Sequence, residues 1–139
     1  MTVVWGGVAT LSRMGDYRKL LVWQKARVIE RQVRALVEML PPVERRRLGD
    51  QIIRAAVSIR LNIAEGAGLN TDPQFARHLL LSLGSANEVQ DALDAIDDAG
   101  YLPPSERGLI DETSQIRAML AGLHKRVNAA RSNQKGASR

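Results

Sequence analysis

Cysteine is absent from the 139 residues, which removes disulfides, thiolate metal sites and a cysteine nucleophile, and fits a reducing cytoplasm. Aromatics number five, too few for a strand-rich core, and the Ala- and Leu-rich remainder favours helix. No apolar stretch approaches the ~20 residues that span a bilayer, so no membrane segment is expected. The N-terminus M-T-V-V-W-G-G-V-A-T-L-S-R lacks the charged start and long apolar region of a signal peptide. Histidine occurs twice, at His78 and His124, each without a neighbouring ligand pattern, and no Glu-x-x-His pair exists to build a di-iron bundle site. Walker, Rossmann and zinc signatures are missing. Ser58, Ser82 and Ser85 have no base at helical spacing. No cofactor and no metal is expected, and an enzyme is the least favoured class.

What is present is helical period. Val22, Ala26, Ile29, Val33, Leu36 and Leu40 share one face of a first helix, opened by Asp16 as N-cap and closed by Pro41-Pro42. A second helix is expected from Val43 or Glu44 to Gly66, where glycine supplies the stop. Ile52, Ala56, Ile59 and Ile63 form its core line; Ile53, Val57, Leu61 and Ala64 form another. Four helices need one apolar stripe each, so the excess at Ile53, Val57 and Leu61 predicts burial between subunits. Between the two lines runs a polar stripe of Gln51, Arg54, Ser58, Asn62 and Glu65.

Asp72 as N-cap and Pro73 at the first position open a third helix, with Phe75, Leu79, Ala86, Val89, Leu93 and Ile96 as its core line. Gly100 and Pro103-Pro104 end it. Gly84-Ser85 lies mid-helix, where glycine costs roughly 1 kcal/mol against alanine, and a close helix–helix approach is the expected compensation. A fourth helix follows Ser105, with Leu109, Thr113, Ile116, Leu120, Leu123 and Val127 in register. The reading is all-α: an antiparallel up-down-up-down four-helix bundle over 16–131, with an N-terminal extension over 1–15 and a disordered basic tail over 132–139.

Charge is sorted along the chain. Residues 1–70 hold twelve Lys/Arg against six Asp/Glu, residues 71–104 one against six, and residues 105–139 seven against three. Arg27, Arg31 and Arg34 stand a turn apart opposite the first helix's core line, and Arg45, Arg46 and Arg47 open the second helix across the Pro-Pro turn. Together they form the candidate nucleic-acid surface. No aromatic interleaves them, so phosphate contact rather than base readout is expected. Arginines at a helix start oppose the helix dipole, a local cost that bound phosphate would offset.

L-L-V-W-Q-K-A at 20–26, Pro-Pro-x-Glu at 41–44, G-D-Q-I-I-R-A-A-V-S-I-R-L-N-I-A-E-G at 49–66, Gln74-Phe75 and L-G-S-A-N-E-V at 83–89 resemble the four-helix-bundle proteins named after intervening sequences of bacterial 23S rRNA. The resemblance runs from Tyr17 to Leu123. It marks Gln51, Arg54, Ser58, Asn62, Glu65, Gly66, Gly84, Ser85 and Glu88 as signature residues, read here as structural. It departs at Ala67-Gly68-Leu69, where the family often has a basic or aromatic residue, and residues 1–13 have no counterpart. The same broad fold includes the accessory variability determinant of diversity-generating retroelements. The resemblance implies a homo-oligomer, typically a pentameric ring, binding nucleic acid and protein partners. The expected function is therefore a non-enzymatic, cytoplasmic, homo-oligomeric accessory protein that binds DNA or RNA, with a reverse transcriptase or rRNA as the associated machinery. The alternative is an oligomeric protein–protein adaptor with no direct nucleic-acid role. Asn62 and Glu65 are expected to fix helix register and the end of the second helix, with partners at Ser85 and Glu88 on the third; the alternative is that they line a ring pore and touch a ligand.

Overall fold

A computed structural model describes residues 16–69 and 71–137; the extension over 1–15 lies outside the described residues. A 3-10 turn, Tyr17–Lys19, leads into α1, Leu21–Met39. After Pro41 a short turn, Pro42–Glu44, and a π-helical stretch, Arg45–Gly49, run into α2, Asp50–Ala67. Then come α3, Asp72–Asp98, a 3-10 turn, Pro104–Glu106, and α4, Gly108–Ala137. No strand occurs among the described residues.

Neighbours along the chain pack side by side, and α1 closes the bundle against α4, which leaves α1 and α3, and α2 and α4, as the diagonal pairs. This is the expected four-helix bundle. All four predicted core lines are buried, and Phe75, Ile59, Ile63, Leu79, Leu93 and Leu120 are among its fully enclosed side chains. At this amount of apolar burial, roughly 1.5–3 kcal/mol per large side chain, tertiary packing rather than propensity holds the helices.

Several boundaries differ from expectation, each for a local reason. Asp16 caps the 3-10 turn, accepting from the Arg18 amide at 3.3 Å, and α1 starts only at Leu21. Thr71, extended at φ −126° and ψ 142°, is the N-cap of α3, so Asp72 is its first residue and Pro73 its second. That shift costs nothing, because the second helical N–H also lacks an intrahelical acceptor. Gly66 does not end α2: the helix continues to Ala67 with Gly68 as C-cap. α4 reaches Ala137, into the segment assigned from composition to a disordered tail, since no proline intervenes.

The glycines exchange roles. A Cβ on Gly84 would meet nothing within 4 Å, whereas one on Gly66 would lie 2.6 Å from His78 Cβ and 3.1 Å from Phe75 Cδ1. The close approach of α2 and α3 therefore sits at Gly66, and the expectation for Gly84 is corrected. Gly49 performs a similar service at the first corner, where its Cβ would come within 3.0 Å of Val37 Cγ1.

At the last corner Arg107 forks onto Asp97 with bonds of 2.8 and 3.2 Å. The bond and charge of that carboxylate hold the guanidinium above its ordinary pKa.

Candidate nucleic-acid interface and the polar seam

The polar stripe of α2 meets α3 in a one-directional chain of hydrogen bonds. Asn62 donates through Nδ2 to the Ser58 carbonyl at 2.9 Å and to Ser58 Oγ at 3.0 Å. Its Oδ1 is thereby the acceptor for His78 Nδ1 at 3.1 Å, which assigns the proton to that ring nitrogen. Ser85 Oγ donates to the Leu81 carbonyl at 3.2 Å, so Ser58 is the donor in its 2.7 Å contact with Ser85 Oγ. The order runs His78, Asn62, Ser58, Ser85, Leu81, every hydroxyl and amide both giving and receiving, the arrangement in which neighbouring bonds reinforce one another. Beside it, buried Ser82 Oγ donates to the Ile59 carbonyl at 2.8 Å.

Asn62 joins α2 to α3, but its partners are Ser58 and His78 rather than Ser85 and Glu88 directly. Glu88 is exposed and takes no part in the chain. Glu65 separates from Asn62: its side chain is 66% exposed and its carboxylate is 4.0 Å from His78 Nδ1, beyond hydrogen-bond reach. Gln51 and Arg54 are likewise exposed. Replacing Asn62 by Ala should lower stability by about 1–3 kcal/mol, because Ser58 and His78 lose their partner in a half-buried seam. Glu65→Ala should stay within about 0.5 kcal/mol of the native value. Thermal unfolding of both variants checks this, and equal losses would contradict the assignment.

The six arginines of the candidate surface are exposed, but three are already engaged within the chain. Arg45 Nη2 donates to the Glu38 carbonyl at 2.8 Å and the Leu40 carbonyl at 3.4 Å. It therefore neutralises the negative C-terminal end of α1 instead of opposing a helix start, the reverse of the dipole conflict expected from sequence. Arg27 lies over the Trp23 ring at 5.8 Å, and Tyr17 tilts against the same indole at 5.3 Å. An aromatic does accompany the arginines, though Trp23 is buried and offers no free face for a base. Arg34 is 3.8 Å from Glu30, which Arg60 holds at 3.0 Å. Arg31, Arg46 and Arg47 complete the set. Glu30, its side chain only 14% exposed, is thus the carboxylate that neutralises part of the basic face.

Sequence reasoning missed His78, Ser82 and the Glu30–Arg60 bridge. Ser82 could have been found, since it falls in the α3 core row between Leu79 and Ala86. The bridge could not, because nothing in one helix's pattern says which residue of the next lies opposite.

Ile53 and Val57 are half-buried and Leu61 is 51% exposed. With Arg54, Ser58, Asn62 and Glu65 they line an open groove of about 370 Å³ on the outer side of α2. Among the described residues no group of histidines and carboxylates is arranged to hold a metal ion. No described helix is long and apolar enough to cross a membrane.

The described residues form a four-helix bundle whose α2 and α3 are joined by a polar seam and whose exposed charges are sorted by helix. The chain belongs to the 23S rRNA-intervening sequence protein family, whose model matches residues 18–122. That description names an rRNA insertion rather than a reaction. Among curated proteins nothing matches.

Proposed function

We propose that this protein is a non-enzymatic, homo-oligomeric accessory factor that binds RNA or DNA by its phosphates. The observation that carries this reading is the placement of charge on diagonal helices. Arg27, Arg31 and Arg34 are exposed on α1, whereas Glu88, Asp91, Asp94 and Asp98 are exposed on α3, across the bundle. A polyanion is attracted to one side and repelled from the other, which orients it before any specific contact forms. Arg46 and Arg47 extend the basic side past the α1 C-terminus, and Arg45 supports them by capping that end.

The family's description makes structured RNA the first ligand to test. Mobility shifts across a salt series should show weakly sequence-selective binding that falls steeply with salt. Changing Arg31, Arg46 and Arg47 together to Gln should flatten the log–log salt slope by roughly 0.7–0.9 for each phosphate that is no longer neutralised. Arg45→Gln should act through stability instead. If the oligomer shifts neither structured RNA nor DNA at low salt, the reading fails. The exposed apolar ribbon of α2 would then favour the protein–protein adaptor, with an enzyme acting on nucleic acid, such as a reverse transcriptase, as a partner to capture.

A further inference from the structure

The carboxylate of Glu30 lies on the basic side of the bundle between guanidinium groups from two helices. Arg60 of α2 donates through Nε to Oε1 at 3.0 Å and places Nη2 at the same distance from that oxygen. Arg34 of α1 stands 3.8 Å from the other oxygen, Oε2, beyond hydrogen-bond reach. One carboxylate thus faces two cations and hydrogen-bonds only one of them. We infer that a backbone phosphate of bound nucleic acid displaces Glu30 from between Arg60 and Arg34, which makes Arg60 a phosphate ligand and Glu30 an internal competitor for the same site. This rests on the nucleic-acid reading above and adds to it a contact on α2 and a group that restrains binding.

Three features carry the inference. First, the chemistry matches: a phosphodiester offers a pair of anionic oxygens as a carboxylate does, and a guanidinium accepts either along the same N–H edge. Second, cations are in excess. Arg27, Glu30 and Arg34 share one row of α1, three and four positions apart. Arg31 follows Glu30 directly and Arg60 reaches the row from α2, so four arginines gather around one carboxylate. The Arg107–Asp97 fork shows a closed pair in the same bundle, with two nitrogens on two oxygens; Glu30 is not closed in this way. Third, the exchange costs little. The side chains of Arg60 and Glu30 keep 27% and 14% of their surface exposed, so phosphate and water both have access, and a pair at a surface contributes little net stability. Removing one partner of a half-buried pair strands a charge. Exchange does not, because phosphate takes over the guanidinium groups and water takes over the carboxylate.

Glu30→Gln keeps the shape of the side chain and removes the competing charge. In mobility shifts across a salt series it should bind structured RNA severalfold more tightly than the native protein at low salt. Its log–log salt slope should be steeper by roughly 0.7–0.9, since no freed carboxylate takes up a cation in exchange. Glu38→Gln is the control: it removes from the same helix an exposed carboxylate that pairs with no arginine among the described residues, and should give a smaller gain and an unchanged slope. Arg60→Gln should cost more affinity in the Glu30→Gln background than in the native protein, because Arg60 is unopposed only there. Circular dichroism establishes that the variants remain helical; Glu30→Ala replaces Glu30→Gln if that variant unfolds. A gain no larger than that of Glu38→Gln, or an equal loss from Arg60→Gln in both backgrounds, overturns the exchange and leaves the nucleic-acid reading standing. If neither the native protein nor Glu30→Gln shifts structured RNA or DNA at low salt, that reading fails and the exchange with it.

Discussion

Phe75→Ala should destabilise the protein by about 3–5 kcal/mol, the range for emptying a fully buried aromatic site. Phe75 is the only phenylalanine of the chain and is wholly inaccessible to solvent. It stands at the start of α3, where the backbone of Gly66 comes close enough that an added Cβ would touch its ring at 3.1 Å. Removing the ring leaves a cavity at a point where the helices are already as near as their backbones permit, so collapse can recover little. Against a total stability of roughly 5–15 kcal/mol for a domain, this is a large fraction. Chemical denaturation should register it as a lower midpoint with an unchanged slope. A loss under about 1 kcal/mol would mean that the α2–α3 end is more loosely packed than the enclosure of this ring implies.

The second large effect contrasts two glycines within the same helix pair. Gly66→Ala places a methyl 2.6 Å from His78 Cβ, an atom fixed to the α3 backbone, so the helices must part. Overpacking of this kind costs about 1–3 kcal/mol or more, and separation here would also lengthen the bond between His78 and Asn62. Gly84→Ala should instead stabilise the protein by up to roughly 1 kcal/mol, because the helix gains propensity and the new methyl meets nothing. Thermal unfolding of the pair therefore has a predicted difference in sign. Equal destabilisation, or a reversal, would return the close approach to Gly84.

These two positions show how far a sequence can be read. From sequence, Gly66 reads as a helix stop and Gly84 as the mid-helix point of close approach, whereas the close approach lies at Gly66. What separates them is the rotation of α2 against α3, which turns Gly66 inward and Gly84 to solvent. Arg45 illustrates the same limit. Its place after a Pro-Pro turn suggests a charge at a helix start, but the π-helical stretch returns its guanidinium to the last carbonyls of α1. That Asn62 would need a hydrogen-bond partner was legible, because a polar side chain on a doubly apolar helix must find one or lose about 1–3 kcal/mol. That the partner would be His78 was not, since local spacing carries no information about the residue opposite.

By itself the sequence determined the four helices, their core lines, their order and the sorting of charge into basic, acidic and basic segments. Each of these follows from period, capping residues and composition along a single stretch of chain. Only the tertiary structure decided which glycine brings two helices together, which arginines are engaged within the bundle, and how the seam of Asn62 is satisfied. The physical reason is that these depend on the relative rotation and register of packed helices. Rotation and register are set by the sum of contacts across the core, in which every side chain of one helix is weighed against all those facing it.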